Sequence, residues 1–368
     1  MGTLKAGRAL PPGMEPRDLS AHVPYEAGRG NEEVARELGM DPDDLVVLSS
    51  NENPYGPSPA AVEAIREHAD RVHRYPKAAH ADLRETAARK WGFDPEQCWI
   101  AGGGDGGLDY VHRALLRPGD RVLAPDPGFA YYGMSARYPH GEVQSYTLEK
   151  DNDFEQTAAT VLDHYDGERI VYVTSPHNPS GSEMATEEVR ALAEGTDDET
   201  LVLVDEAYAE FSTADSAADL VDEREDVAVL RTFSKAYGLA GLRVGYILVA
   251  REWAGAYARV NTPFAVNELA CRAALAALDD EEHARKTVEG ARWARDYLRD
   301  HLDAHTWPSG ANFVLAEVGD AEAVTDAAKR EGVLVRDCTS FGLPECIRIT
   351  CGTEPETREA VEVLNDVL

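Results

Sequence analysis

Lys235 stands just after an apolar, β-branched run (227–230), in a loop of small residues, with Arg243 eight positions on. The sequence holds seven lysines, and the other six (Lys5, Lys77, Lys90, Lys150, Lys286 and Lys329) lie near the terminus or among polar neighbours. Only Lys235 is flanked on both sides by residues expected to be buried. A buried ammonium is costly unless it is paired or chemically used. An amine that condenses with an aldehyde to an imine escapes that cost, because its nitrogen becomes covalently shared. Asp205 ends a second apolar run (201–204), with Tyr208 three residues later, and a third run (169–174) leads into Ser175-Pro176-His177-Asn178-Pro179-Ser180-Gly181. Three strand ends thus present an asparagine, an aspartate and a lysine. In an open α/β sheet, ligands collect at the carboxyl ends of the strands.

The elements that must position these residues alternate. Strands are expected at 98–101, 121–124, 169–174, 201–205, 227–232 and 243–250, separated by helical or irregular connections such as 108–116 and 186–194. This pattern predicts an α/β fold with a largely parallel sheet covered by helices on both faces. Ser58 as N-cap and Pro59 in the first turn start a helix that runs to His68. After about residue 263 the texture changes. Long helices are expected at 266–277 and 281–302, short strands at 312–317, 333–336 and 346–350, and a last helix from Pro355. The expected division is a large domain over 51–262 and a smaller α+β domain over 263–368.

Bulk properties exclude some functions. A net charge of −31 argues against nucleic acid, whose phosphates would be repelled. Scarce lysine and recurrent acidic patches (41–44, 197–199, 222–226) have the character of a halophile's solvated shell. No apolar run approaches the length of a membrane span, and the first 20 residues carry no signal-peptide core, so a cytoplasmic location is expected. The five cysteines form no CxxC pair and no zinc pattern, and all are expected to be small buried hydrophobes.

Six landmarks in order carry a resemblance over nearly the whole chain. They are Ser50-Asn51-Glu52-Asn53-Pro54-Tyr55-Gly56-Pro57, Arg74-Tyr75-Pro76, Asn178-Pro179-Ser180-Gly181, Asp205-Glu206-Ala207-Tyr208, Thr232-Phe233-Ser234-Lys235 and the downstream Arg243. With them the sequence resembles the pyridoxal-phosphate (PLP) aminotransferases of fold type I, and within these the histidinol-phosphate branch. The resemblance implies a large PLP-binding domain, a small domain with which the N-terminal arm (1–50) packs, and a homodimer with shared sites. It implies Lys235 as the Schiff-base lysine, Asp205 as partner of the pyridine nitrogen, and Tyr208 and Asn178 as partners of the ring's 3′ oxygen. Phe129 matches the aromatic position that stacks on the ring.

For the cofactor phosphate, the glycine run 102–107 joins a strand to a helix, where N–H groups of Gly104, Asp105 and Gly106 can cradle an anion. Its spacing does not fit the rival dinucleotide fingerprint. Relatives usually carry an acidic or polar residue at the position of Gly106. Thr232, Ser234 and Arg243 would complete the cup, with Tyr75 reaching the phosphate of the neighbouring subunit. Arg348 matches the residue that binds the α-carboxylate in amino-acid aminotransferases, and its planar fork serves a phosphate equally well. Arg336, Tyr25 and Asn53 are expected beside it, although Arg336 could equally pair with Asp337 at the surface. The implied substrates are histidinol phosphate with 2-oxoglutarate, or imidazole-acetol phosphate with glutamate, in histidine biosynthesis. Threonine-phosphate decarboxylation, a broad aromatic aminotransferase and a non-catalytic PLP-binding module are the alternatives.

Overall fold

The computed structural model describes residues 17–20, 22, 30–77 and 80–368, which fold around two sheets. The larger has seven strands in the order Cys98–Ala101, Gly245–Leu248, Val227–Thr232, Leu201–Asp205, Ile170–Thr174, Arg121–Asp126, Glu142–Thr147. All run parallel except Gly245–Leu248, which opposes both of its neighbours. The three central strands are buried on both faces, which is why their sequences read as unbroken apolar runs rather than alternating ones. Val171, Val173, Val202, Val204 and Val229 face one core, shared with Leu83 and Ala87 of the helix Ala81–Trp91. Ile170, Tyr172, Leu201, Leu203 and Leu230 face the other, against Leu108 and Val111 of Gly103–Leu115 and Tyr132 of Tyr131–Arg137.

The second sheet has the order Val46–Leu48, Val333–Asp337, Cys346–Thr350, Phe313–Glu317, His305–Thr306. Val46–Leu48 joins it by parallel pairing with residues 333–335, so this part of the N-terminal arm belongs to the second sheet. Its core is closed by Leu298, Val324, Ala328, Val361 and Leu364 from three helices. Antiparallel pairing sets Arg336 directly opposite Arg348.

Three features differ from the expectations. Glu142–Thr147 is a polar edge strand, mostly exposed, so it lacks the apolar signal that marks its neighbours. The glycine run is not a loop: the helix begins at Gly103, and these glycines form its first turns. The helix Glu268–Asp279, expected with the C-terminal unit, buries Ala270, Ala273, Ala274 and Ala277 in a core of the large sheet. Capping follows the sequence signal: Ser58 Oγ accepts from the Ala61 N–H at 3.1 Å, with Pro59 in the first turn.

All five cysteines are free and buried, and burial pushes each thiol up to about 12. That suits inert core packing.

Candidate active site

The carboxyl ends of the central strands open into a cavity of about 250 Å³. Its lining includes Gly104, Asp105, Phe129, Asn178, Asp205, Tyr208, Thr232, Ser234, Lys235 and Arg243. Parallel register creates this convergence, since Thr174 pairs with Asp205 and Asp205 with Leu230. Lys235 is half-buried between buried Ser234 and Ala236. Its Nζ lies 3.4 Å from the Ser50 carbonyl oxygen and 5.6 Å from the centre of the Tyr208 ring. The loop that carries it rests on the chain at Gly56. A Cβ at Gly238, where φ is +67°, would meet the Gly56 carbonyl oxygen at 2.3 Å, so only glycine fits there.

Asp205 is buried at the floor. Oδ2 accepts from the Tyr132 hydroxyl at 2.7 Å and Oδ1 from the Ala207 N–H at 3.0 Å. Burial pushes its carboxyl up to about 6, against those two hydrogen bonds, which pull it down. No Lys or Arg among the described residues is ion-paired with it. A buried carboxylate aimed at a cavity without a cation suits a ligand that carries a protonated ring nitrogen. Tyr132 also meets Thr174 Oγ1 at 2.8 Å and stacks on Tyr172 at 4.5 Å. Phe129 packs edge-on against Tyr132, with centroids 5.5 Å apart.

On one side of the cavity, Tyr208 accepts a hydrogen bond from Asn51 Nδ2 at 3.1 Å. Opposite the Asn178 amide, Arg348 Nη1 donates to Oδ1 at 2.5 Å, and Nη2 donates to the Ser49 carbonyl at 3.0 Å. The Arg336 and Arg348 guanidinium carbons each lie 5.9 Å from the centre of the Phe341 ring. The two guanidiniums, from paired strand positions, form a cationic patch next to Asn178, and neither is part of the cavity lining. Arg336 donates to Ser340 Oγ at 3.0 Å, whereas the Asp337 carboxylate accepts from the Thr339 N–H, so the surface pairing of Arg336 with Asp337 is not what the structure shows.

At the other end, the helix Gly103–Leu115 points its N-terminus into the cavity through Gly104 and Asp105. Arg243 approaches this terminus closely. A Cβ at Gly103 would stand 2.6 Å from Arg243 Nη2. Arg243 itself takes a left-handed φ of 51°, a conformation that costs a non-glycine residue and is kept where surroundings enforce it. Its guanidinium pairs with Asp105 at 3.1 Å and reaches Ser234 Oγ at 3.5 Å, and Thr232 Oγ1 donates to Ser234 Oγ at 3.0 Å.

A match to the family model of class I and II aminotransferases spans residues 43–364. A histidinol-phosphate aminotransferase of Natronomonas pharaonis is 68% identical over 96% of this chain and 100% of its own. The chain belongs to the histidinol-phosphate aminotransferases, within the class I and II aminotransferase family. Haloferax volcanii supplies another such relative at 66% identity, covering 96% of this chain and 98% of its own. Among solved structures, histidinol-phosphate aminotransferase from Sinorhizobium meliloti in complex with pyridoxal-5′-phosphate matches with TM-score 0.85 at 27% identity, over 93% of this chain and 95% of that one. Thermus thermophilus aspartate aminotransferase with maleate matches with TM-score 0.80 at 25% identity, over 98% of this chain and all of that one (100%).

Not every residue singled out in the sequence of this aminotransferase meets at the cavity. Asn53 is not part of the lining: its Nδ2 donates to the Ala236 carbonyl at 3.0 Å and to Thr287 Oγ1 at 3.2 Å. Gly106 turns toward Ala101, where an added Cβ would make ordinary contact at 3.6 Å, and it does not line the cavity. Tyr75 is 83% exposed, stacks on Phe264 and lies outside its own chain's cavity. Tyr25 falls outside the described residues. Sequence reasoning missed Asn51 and Tyr132. Tyr132 had a signal, since three positions after Phe129 at a helix start puts both rings on one side.

Proposed function

We propose that the chain transfers an amino group between histidinol phosphate and 2-oxoglutarate, giving imidazole-acetol phosphate and glutamate, in histidine biosynthesis. The observation that carries this is the assembly, in one cavity, of a half-buried lysine, a buried carboxylate without a cation, and a helix N-terminus beside an arginine. These residues fit pyridoxal phosphate. When bound, that group supplies an electron sink for the bond cleaved at the substrate's Cα.

The chain's own groups then divide the work. Lys235 Nζ would hold the group through its aldehyde carbon, and as a free amine it would accept the proton from the substrate's Cα. Asp205 keeps the ring nitrogen protonated, and Tyr132 and the Ala207 N–H hold that carboxylate in place. Phe129 covers the ring face, while Tyr208 and Asn178 bind its 3′ oxygen. The free N–H groups at Gly104 and Asp105, with Thr232, Ser234 and Arg243, bind the cofactor's phosphate. Arg348 and Arg336 bind the substrate phosphate in one half-reaction, and Arg348 binds the carboxylate of glutamate in the other. Tyr75 serves the site of a second subunit in a homodimer. Its exposure, beside exposed Val72 and Phe264, supports that assignment.

The test is a coupled assay that follows glutamate formed from histidinol phosphate and 2-oxoglutarate. Saturable turnover that is abolished in Lys235→Ala is expected. Turnover of aspartate or aromatic amino acids with none of histidinol phosphate would remove the substrate assignment, as would carbon dioxide released from phosphothreonine. For the shared site, mixing Lys235→Ala with Tyr75→Ala protomers is expected to restore activity in part, through hybrids in which one site keeps both residues.

A further inference from the structure

Asn51 is 1% exposed and takes a left-handed φ of 53°. Its backbone N–H donates to Thr350 Oγ1 at 2.9 Å, which leaves the Thr350 hydroxyl proton to turn to Asn51 Oδ1, 3.2 Å away. Its carbonyl accepts from Asn312 Nδ2 at 3.2 Å. These contacts fix the amide: Oδ1 faces Thr350, so Nδ2 faces the Tyr208 phenol oxygen at 3.1 Å. A phenol whose oxygen already accepts from an amide has its own proton left to donate. Among the described residues, no protein group accepts that proton, and Tyr208 lines the cavity.

We propose that Asn51 is a positioning residue that sets the direction of the Tyr208 hydroxyl, so that the phenol proton points into the cavity at the 3′ oxygen of the cofactor ring. The inference rests on the cofactor assignment above and adds to it a group in the segment that follows the strand Val46–Leu48. A hydrogen bond donated to that oxygen draws electron density away from the conjugated nitrogen carried by Lys235, and so makes its proton easier to lose. Without Asn51 the phenol is free to rotate, and the donation weakens.

The test reads the visible absorbance band of the purified, cofactor-loaded protein as a function of pH. Asn51→Gly suits the left-handed backbone and removes the amide. Asn51→Asp keeps the size but presents a carboxylate that accepts from Tyr208 and turns its proton away. Both are expected to raise the titration midpoint by about one pH unit. Tyr208→Phe is expected to raise it at least as far, and adding Asn51→Gly to Tyr208→Phe is expected to move it no further. An unmoved midpoint in Asn51 variants that keep the band overturns the inference, and so does an additive shift in the double variant. If Asn51→Gly fails to fold, Asn51→Asp carries the same measurement. A wild-type protein with no band that borohydride fixes to Lys235 overturns the cofactor assignment and this inference with it. An unmoved midpoint overturns this inference alone.

Discussion

Asp205 is buried at the floor of the cavity, where its ionised form weighs against the stability of the fold. Its carboxyl is pushed up to about 6 by burial, from an ordinary value of 3.8. A group with a raised value in the folded state stabilises fully below its unfolded value and loses that contribution as pH rises through the folded one. The stability of the cofactor-free protein is therefore expected to fall between about pH 4 and pH 6 on account of Asp205, by up to about 3 kcal/mol. Asp205→Asn removes that titration. It can still accept from Tyr132 or Ala207, but not from both, a loss of about 1 kcal/mol. The variant without cofactor is thus expected to melt no lower than wild type at pH 7.5, while losing cofactor retention and activity. A calorimetric melt well below wild type at that pH would contradict the account. Tyr132 acts one step behind. Tyr132→Phe removes a hydrogen bond to an ionised group, worth about 1.5–3 kcal/mol. At least a tenfold fall in kcat is expected. The acid limb of its pH profile should also move to higher pH, since a hydrogen bond that holds Asp205 ionised is lost.

At the scale of elements, a buried ion triad ties the strand that leads to Lys235 to the turn that follows Asp205. Arg231 Nη1 meets Glu206 Oε2 at 2.5 Å and Nη2 meets Glu210 Oε1 at 2.6 Å, under Trp91 at 4.8 Å. Glu206 is also held by Ser216 Oγ and the Ala217 N–H, both at 2.7 Å. Removing one partner of such a cluster strands a buried charge and costs about 3–5 kcal/mol. Arg231→Met is expected to lower the melting temperature by on the order of 10 °C. Adding Glu206→Gln and Glu210→Gln should recover much of that loss, which differential scanning calorimetry can check. A triple variant no better than Arg231→Met would mean that the guanidinium's packing, rather than its charge, is what matters. The triad was not legible beforehand, because Arg231 and Glu206 sit inside motifs whose neighbours carry the chemistry. The strands 98–101, 201–205 and 227–232 were legible, because burial on both faces writes an unbroken apolar run. Glu142–Thr147 was not, since an edge strand needs no apolar face, and glycines 103, 104, 106 and 107 concealed a helix start because glycine is a poor helix former. The site followed the same division. Residues at the ends of buried strands were found, but Asn51, whose amide donates to the Tyr208 hydroxyl beside the cavity, was not. At a left-handed kink a shift of two positions changes the direction of a side chain, and no periodicity records that.

For the whole molecule, charge sets the conditions under which the fold is stable. With 67 acidic against 36 basic residues, 31 carboxylates have no cation to meet, even if every Lys and Arg were paired. Long-range repulsion among them opposes the compact state. Salt also weakens attractive pairs, so the sign of its effect has to be argued. The screening length falls from about 8 Å at physiological strength to about 3 Å at 1 M. Repulsion between carboxylates 10 Å or more apart is then largely removed. Close contacts are spared most, such as Lys150 bridging Glu317 at 2.8 Å and Glu345 at 2.7 Å across the two sheets. The buried triad around Arg231 is sheltered as well. The melting temperature is therefore expected to rise with potassium chloride from about 0.2 M well into the molar range, with most of the gain where the screening length drops below the typical spacing of surface carboxylates. The haloarchaeal relatives at 66% and 68% identity are in keeping with that dependence. Thermal melts that stay flat or fall across that range would mean that local attraction, not the summed repulsion, governs this surface.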